Sequence, residues 1–152
     1  MFNIVLFEPE IPHNAGAAGR LALATGSALH LVKPLGFSLD DKYVKRTGLD
    51  YWQDVDLYVW ENFEELSEVM AGKRRWLLST KAGKPHWDAV FSPGDFLIFG
   101  KETKGLPEEM IGEAGETALR IPMIPGGTRS LNLSTAVAIV LFEALRQQSP
   151  EW

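Results

Sequence analysis

The chain has 152 residues, a formal net charge of −5 at pH 7 and no cysteine. The absence of cysteine excludes disulfides and thiolate metal sites, and the acidic balance counts against a general nucleic-acid binder, which is usually basic. Hydrophobic residues make up 45% of the chain, which suits one domain spanning residues 1–152, because a chain of this length buries roughly 68–70% of the surface that it exposes when unfolded.

Short apolar stretches alternate with amphipathic or charged ones along the chain. The predicted strands are Asn3–Phe7, Ala28–Val32, Leu57–Trp60, Trp76–Ser79, Asp95–Phe99 and Ala118–Ile121. The predicted helices are Asn14–Thr25, Phe63–Met70, Pro107–Glu113 and a last one carrying Leu133 to Leu145, with a short charged helix or turn at Asp40–Arg46. Because strands buried on both faces read as continuous apolar runs, this order predicts an α/β fold with a parallel sheet covered by helices. Ligands of such sheets bind at the carboxyl ends of the strands.

The first motif opens the first predicted helix and runs from Asn14 to Arg20 as Asn-Ala-Gly-Ala-Ala-Gly-Arg. Gly16 and Arg20 share one helix face, and helical side chains lean toward the N-terminus, so Arg20 can reach over Gly16 to the helix start. Exposed N–H groups there attract anions and Asn14 can cap them, which predicts a phosphate or ribose site. The alternative is that Gly16 and Gly19 only allow close packing of the helix on the sheet and Arg20 lies on the surface.

The second motif follows the strand that ends at Phe99 and reads Gly-Lys-Glu-Thr-Lys-Gly-Leu from Gly100 to Leu106. Glu102 is the only carboxylate of this turn, and we expect it to hold the loop by accepting backbone hydrogen bonds. The alternative is an ordinary strand-to-helix turn, in which Glu102 is favourable near the N-terminus of the next helix.

The third motif is Ser-Leu-Asn-Leu-Ser, residues 130–134, and it follows a loop rich in proline and glycine. Apolar residues then recur at three- and four-residue intervals, which indicates a helix with one buried face. These residues are Leu133, Ala136, Val137, Val140, Leu141, Ala144 and Leu145. Ser130 or Asn132 can cap the first turn. The alternative is a plain capped helix with no ligand beside it.

Together these motifs resemble N-x-G-x-x-x-R, G-x-E-x-x-G-L and S-L-N-L-S of the SpoU-like branch of the SPOUT superfamily of RNA methyltransferases. The resemblance covers essentially the whole chain. The length, the opening NIVLFEPEIPHN and the segment GLDYW are similar to single-domain members that methylate the wobble ribose of tRNA. The resemblance implies a deep trefoil knot in the C-terminal part of the sheet, with a bent S-adenosylmethionine bound there largely by backbone groups. Carried over by position, the implied cofactor-binding residues are Leu78, Ser79, Gly100, Glu102, Ile121, Ser130, Leu131 and Asn132.

The reaction that the resemblance implies is S-adenosylmethionine-dependent 2′-O-methylation of the ribose at nucleotide 34 of tRNA, with Arg20 and Asn14 as catalytic residues. It also implies a homodimer, with the first and last helices in the interface and Arg20 completing the partner's site. The sulfonium donor is already activated by its charge, so we expect no metal. A guanidinium has no acceptor and stays protonated, so we expect Arg20 to clamp a phosphate and stabilise the developing alkoxide.

Other functions remain open from the sequence. The runner-up is a 2′-O-methyltransferase for another tRNA or rRNA position, and a second alternative is a non-catalytic RNA-binding assembly factor on the same scaffold. A flavodoxin-like nucleotide binder is disfavoured, because no glycine-rich phosphate loop follows the first strand. The opening MFNIVLFEPE lacks the basic segment of a signal peptide, and the longest apolar run is too short for a bilayer. We therefore expect a cytoplasmic protein without a membrane segment.

Several residues outside the motifs have two interpretations each. Tyr51 and Trp52 either stack on an RNA base or simply pack, with packing favoured. His13 adjoins Asn14, and this position makes it a candidate general base. His30 lies in a strand and is predicted to be a core residue whose ring nitrogens are hydrogen-bonded. The basic clusters are either solvated faces or parts of an RNA surface that the fold brings together; they are Lys42, Lys45 and Arg46, then Lys73, Arg74 and Arg75, then Lys81 and Lys84.

Overall fold

The computed structural model describes residues 1–39 and 50–152. The predicted short helix or turn Asp40–Arg46 and the first basic cluster therefore lie outside the described residues. Within the described residues, seven strands form one sheet in the order β3-β2-β1-β6-β4-β7-β5. They are β1 Asn3–Phe7, β2 Ala28–Val32, β3 Leu57–Trp60, β4 Arg75–Leu78, β5 Lys84–Pro85, β6 Phe96–Phe99 and β7 Ala118–Arg120. Every pairing between these strands is parallel, so the predicted parallel sheet is confirmed.

The described helices are interspersed with the strands in sequence, and the last helix follows the last strand. They are α1 Pro12–Thr25, α2 Phe63–Val69, α3 Glu108–Ala114 and α4 Leu133–Gln148, with short 3₁₀ segments at Asp50–Asp54, His86–Asp88 and Gly115–Thr117. The ends of most elements agree with the predicted ones to within one residue, the usual uncertainty of frayed ends. The sequence missed β5 because a two-residue strand has no apolar run to mark it.

Both faces of the central strands are buried, and β1 shows the effect on sequence, since four of its five residues are apolar. Ile4 and Leu6 point into one core together with α1 and α4, while Val5 and Phe7 point into a second core together with α2 and α3. Successive strand residues face opposite sides, so a two-sided core removes the alternation of apolar and polar residues. The apolar face predicted for α4 is confirmed, because Val137, Val140, Leu141 and most of the other predicted residues are buried.

Helix α1 begins two residues earlier than predicted, and the predicted capping by Asn14 is wrong. The N-cap residue is Ile11, which makes no side-chain capping bond, and Pro12 occupies the first turn. Proline suits this place because its ring fixes a helical φ and its missing N–H would be unpaired there anyway. The end of α1 is as predicted, with Gly26 in the left-handed conformation at φ 63°. In α4 the cap is Asn132, whose side chain accepts from Thr135 N at 3.2 Å.

The order of the central strands places the site. β6, β4 and β7 are neighbours, and the second and third motifs follow β6 and β7 in the chain. Because parallel strands end at the same edge of the sheet, the loops that leave β4, β6 and β7 meet there. The trefoil knot implied by the resemblance concerns the path of the chain rather than strand pairing, and it stays a prediction.

Candidate active site

A pocket of about 560 Å³ opens where the loops after β4, β6 and β7 meet. This volume lies in the usual range for small-molecule sites. All the residues predicted to bind the cofactor line it: Leu78, Ser79, Gly100, Glu102, Ile121, Ser130, Leu131 and Asn132. Asn14 lines it too, and Arg20 does not. The sequence motifs therefore converge in space, although the contacts of these residues with a cofactor stay a prediction.

Glu102 ties the second motif to the segment that leads into α1. Its Oε1 accepts from Glu10 N at 2.9 Å, and its Oε2 accepts from Ile11 N at 2.8 Å and from Asn14 Nδ2 at 3.1 Å. The prediction that Glu102 accepts backbone hydrogen bonds is confirmed, but the donors belong to the loop after β1 rather than to its own turn. Hydrogen bonds to a carboxylate are among the stronger ones in proteins, so this contact fixes one loop against the other.

Asn14 carries the same chain of hydrogen bonds to the third motif. Its Oδ1 accepts from Asn132 Nδ2 at 3.1 Å, and Asn132 Oδ1 in turn accepts from Ser134 Oγ and Thr135 N. Asn14 is only 2% exposed, and both ends of its amide are bonded. Asn14 is therefore the buried link between Glu102 and Asn132. Its predicted part in catalysis stays a prediction.

The turn of the second motif is tight, and glycine is required at its start. A Cβ at Gly100 would lie 2.2 Å from the backbone carbon of Gly105 and the nitrogen of Leu106. The turn closes by a hydrogen bond from Gly105 N to Lys101 O at 2.8 Å, with Gly105 at φ 67°. No side chain fits between backbone segments this close, so Gly100 lets the pocket wall fold back on itself.

A second glutamate, which the sequence analysis missed, holds the same turn from the loop after β1. The Glu10 carboxylate accepts from Thr103 N at 3.0 Å and from Thr103 Oγ1 at 2.7 Å. The backbone and side-chain hydrogen bonds from Thr103 lower the pKa of Glu10 below its ordinary value. Glu10 and Glu102 thus clamp the two loops reciprocally. The only sequence signal was an acidic residue in a loop stiffened by proline.

Arg20 lies apart from the pocket, on the exposed side of α1. Its guanidinium carbon lies 5.5 Å from the centroid of the Tyr51 ring, and the Tyr51 hydroxyl donates to Gly16 O at 3.2 Å. A Cβ at Gly19 would come within 2.6 Å of the Trp52 ring. The packing interpretation of Gly19 is confirmed, but the partner is the 3₁₀ segment Asp50–Asp54 rather than the sheet. The packing interpretation of the two aromatic residues is confirmed as well.

The comparison with known proteins agrees with this geometry. The family model described as the SpoU rRNA methylase family matches residues 1–142. The chain belongs to this family. A tRNA (cytidine(34)-2′-O)-methyltransferase of Methylovorus glucosotrophus is 50% identical over 148 residues, which cover 97% of this chain and 96% of the relative. An enzyme of the same name from Saccharophagus degradans is 49% identical over 150 residues, with the same coverage.

A solved structure described as "Structural insights into the 2-OH methylation of C/U34 on tRNA" has the same fold. It matches with a TM-score of 0.93 at 45% identity and covers 98% of this chain and 97% of its own. The resemblance to the SpoU-like branch, read from three short motifs, is therefore confirmed over nearly the full length of the chain.

Outside the pocket, this member of the SpoU family carries a buried histidine that serves the core. His30 Nδ1 accepts from Trp60 Nε1 at 3.1 Å, and its Nε2 lies 3.0 Å from Asn3 Oδ1, an arrangement that requires the neutral ring with its proton on Nε2. Burial lowers the pKa of His30 to about 4. The prediction of a satisfied core residue is confirmed. His13 is exposed near the start of α1, and its role as a base stays a prediction.

The second basic cluster lies at the far end of the sheet. Arg74 Nε is 3.2 Å from Asp95 Oδ2, and its guanidinium stacks over Trp76. Lys73 lies over the ring of Phe96. These residues are at the amino ends of β4 and β6, opposite the pocket, so the cluster helps to hold the sheet and is not part of the site.

In residues 1–39 and 50–152, no three His, Asp or Glu side chains are grouped so as to hold a metal ion. Within the same part of the chain, no helix combines the length and apolarity that crossing a membrane requires.

Proposed function

We propose that this chain transfers a methyl group from S-adenosylmethionine to the ribose 2′-oxygen of nucleotide 34 in tRNA. One observation carries the proposal: residues from each of the three SpoU-like motifs, far apart in sequence, line one pocket and are joined by the Glu102–Asn14–Asn132 hydrogen bonds. The choice of nucleotide rests on the relatives, which are named for cytidine 34 and are 49–50% identical over 97% of this chain.

The lining of the pocket fits S-adenosylmethionine. Leu78, Ile121, Met123 and Leu131 offer apolar surface for the adenine ring. The turn from Gly100 to Leu106 adds backbone N–H and C=O groups that can bind the ribose and the amino-acid part. When bound, S-adenosylmethionine supplies a methyl group on a sulfonium, which needs no further activation. The protein then has to align the acceptor oxygen with that methyl group, and positioning of this kind can lower a barrier by roughly 7–11 kcal/mol.

Arg20 is proposed to act on the RNA and not on the methyl donor. A guanidinium remains protonated and can hold a phosphate through a forked pair of hydrogen bonds while it stabilises negative charge on the attacking oxygen. The Tyr51 ring beside it limits the directions in which the side chain can point. The proton of the 2′-hydroxyl then leaves to another acceptor, because Arg20 has no lone pair to receive it.

We also propose that two copies of the chain form the active dimer. Arg20 does not line the pocket of its own chain, so a second copy is the natural source of the guanidinium. Helices α1 and α4 pack on each other and each exposes a large apolar side chain, Leu23 at 40% and Phe142 at 48%. An interface on these helices would cover both side chains. The whole chain would act as one domain, in the cytoplasm, where tRNA is found.

The proposed function is tested by incubating the purified chain with labelled S-adenosylmethionine and unmodified tRNA and mapping the methylated nucleotide. The expected result is a 2′-O-methyl group at nucleotide 34. Methylation at another tRNA or rRNA position would replace the assigned target, and S-adenosylmethionine binding without transfer to any RNA would favour an assembly factor.

The shared site is tested by mixing two inactive variants, Arg20→Ala and Gly100→Ala. If Arg20 completes the partner's pocket, mixing regains about a quarter of wild-type activity, because half of the dimers are mixed and each has one complete site. If each chain completes its own site, no activity returns. Sedimentation of each variant shows beforehand whether it still forms a dimer.

A further inference from the structure

A second cavity, of about 480 Å³, lies beside the cofactor pocket and shares the turn of the second motif as a wall. Lys81, Lys101 and Lys104 line both spaces, and Glu8 and Glu108 line only the second. The three lysines come from the loops after β4 and β6. The sequence did not group Lys81 with the other two, because β5 and β6 lie between them in the chain.

We call this second space, lined by Lys81, Lys101 and Lys104, the lysine cavity. The positive charges of its lysines are only partly compensated by carboxylates. Lys101 Nζ lies 3.0 Å from Glu8 Oε1, and both side chains are about three-quarters buried, so this pair is fixed. Lys81 pairs with Glu108, but these side chains are 63% and 79% exposed, and an exposed pair exchanges readily for another partner. Lys104 is exposed and makes no salt bridge with any residue in 1–39 or 50–152.

Glu8 is held in place by an unusual backbone conformation. It has a φ of 52°, in the left-handed region that non-glycine residues rarely adopt, and its N–H donates to Val32 O at 2.9 Å. The carboxylate therefore faces Lys101 from a rigid position at the end of β1. One lysine is neutralised from inside the fold, while the other two remain available to a ligand in the cavity.

We propose that the lysine cavity binds a backbone phosphate of the RNA next to the nucleotide that is methylated, with Lys104 and Lys81 as its contacts. The proposal rests on the proposed function for the identity of the ligand. Any ribose that reaches the cofactor pocket has a phosphate on each side, and the lysine cavity is separated from that pocket only by the turn at Lys101–Gly105. An ammonium group binds phosphate as a point charge and needs no fixed geometry.

Because the chain is acidic overall, RNA binding requires a local site of positive charge. At −5 the protein as a whole repels RNA, and the cluster at Arg74 lies at the opposite edge of the sheet. Three lysines against two glutamates leave the cavity with one excess positive charge beside the site of methyl transfer. Glu108 limits this excess by occupying Lys81, so we infer that Glu108 competes with the phosphate.

The proposal is tested by measuring the affinity of an unmodified tRNA anticodon stem–loop for the protein by fluorescence anisotropy between 50 and 200 mM salt. Lys104→Ala is expected to bind more weakly, with the slope of log affinity against log salt reduced by about 0.7–0.9. Its deficit is then about threefold larger at 50 mM than at 200 mM salt. Glu108→Gln is expected to bind more tightly than wild type, because Lys81 is freed.

Two matched controls separate the cavity from general charge effects. Lys73→Ala removes one positive charge at the far edge of the sheet. Glu109→Gln removes one negative charge next to Glu108 in sequence, from a residue that does not line the cavity. Both are expected to shift affinity much less than the cavity variants. Equal effects of Lys104→Ala and Lys73→Ala, or unchanged binding by Lys104→Ala, would overturn the proposal.

Calorimetric titration with S-adenosylmethionine and with inorganic phosphate completes the test. Glu108→Gln changes a residue that lines the lysine cavity and not the cofactor pocket, and it is expected to bind S-adenosylmethionine as wild type does. A changed affinity for S-adenosylmethionine would assign the cavity to the cofactor and overturn the proposal. Phosphate binding tight enough to displace the RNA would identify a free anion as the ligand and also overturn it. The binding assay needs no turnover. Absence of methyl transfer would therefore refute the proposed function. A salt slope in Lys104→Ala equal to that of wild type would refute the cavity proposal.

Discussion

Glu102→Gln tests whether the clamp between the loops shapes the cofactor pocket. The carboxylate accepts three hydrogen bonds, one on Oε1 and two on Oε2. In glutamine one oxygen becomes an NH₂ group, so at least one donor meets another donor. The glutamine amide keeps two of the three hydrogen bonds by turning its oxygen toward Ile11 N and Asn14 Nδ2. Its NH₂ group then lies against Glu10 N, at the former 2.9 Å contact.

The free energy of unfolding is expected to fall by about 3 kcal/mol. One backbone donor loses its partner, which costs about 1–3 kcal/mol when buried, and two bonds change from a charged to a neutral acceptor at about 1 kcal/mol each. Water reaches part of this loop and replaces some of these interactions, so the total lies toward the lower end. Because the turn at Gly100–Leu106 is then less fixed, the affinity for S-adenosylmethionine is expected to fall by about tenfold, which corresponds to about 1.4 kcal/mol.

Urea denaturation measures the change in stability, and calorimetric titration measures the affinity for S-adenosylmethionine. Glu113→Gln in α3 is the matched control, because it makes the same change at an exposed position and is expected to shift stability by less than about 0.5 kcal/mol. If Glu102→Gln were as stable as this control and bound S-adenosylmethionine as wild type does, the clamp would not shape the pocket.

Three further substitutions test other parts of the account. Arg20→Lys is expected to lower turnover at least tenfold with unchanged affinity for S-adenosylmethionine, because lysine keeps the charge but loses the forked contact; full turnover would exclude that contact. Gly100→Ala is expected to weaken S-adenosylmethionine binding by more than tenfold, since its Cβ would meet backbone at 2.2 Å, whereas Gly112→Ala, with open space around it, should raise stability by about 0.5–1 kcal/mol. His30 has a pKa of about 4 in the folded protein against 6.5 unfolded, so acid favours the unfolded chain; stability should fall by about 3 kcal/mol between about pH 7 and pH 4, and urea denaturation of His30→Gln should show a smaller fall.

The fold could be predicted largely because burial leaves a direct trace in the sequence. β1 and β6 are apolar at nearly every position since both faces are covered, and α4 carries its buried face at helical spacing. β5 left no such trace, because Lys84–Pro85 pairs through backbone alone at the edge of the sheet. The start of α1 was misplaced because Asn14 is a good capping residue by type, and its amide is instead used by Glu102 and Asn132.

The site was predictable in its members but not in its connections. The three motifs named the residues around the pocket, yet the partners of Glu102 lie about ninety residues away in the chain. Spacing arguments apply within one helix or strand and give no distance between loops. The clamp by Glu10 and the lysine cavity depend on how the ends of β1, β4 and β6 align in the sheet, so they became visible only with the strands in register.

A crystal structure of the protein with bound S-adenosylmethionine tests the central claim most directly. The account predicts that S-adenosylmethionine lies in the pocket between the turn at Gly100–Leu106 and the segment at Ser130–Asn132, with its adenine against Leu78 and Ile121. The methyl group should face the opening toward which a second copy brings Arg20. S-adenosylmethionine bound anywhere else on the chain, or bound with its methyl group buried against the sheet, would contradict the account.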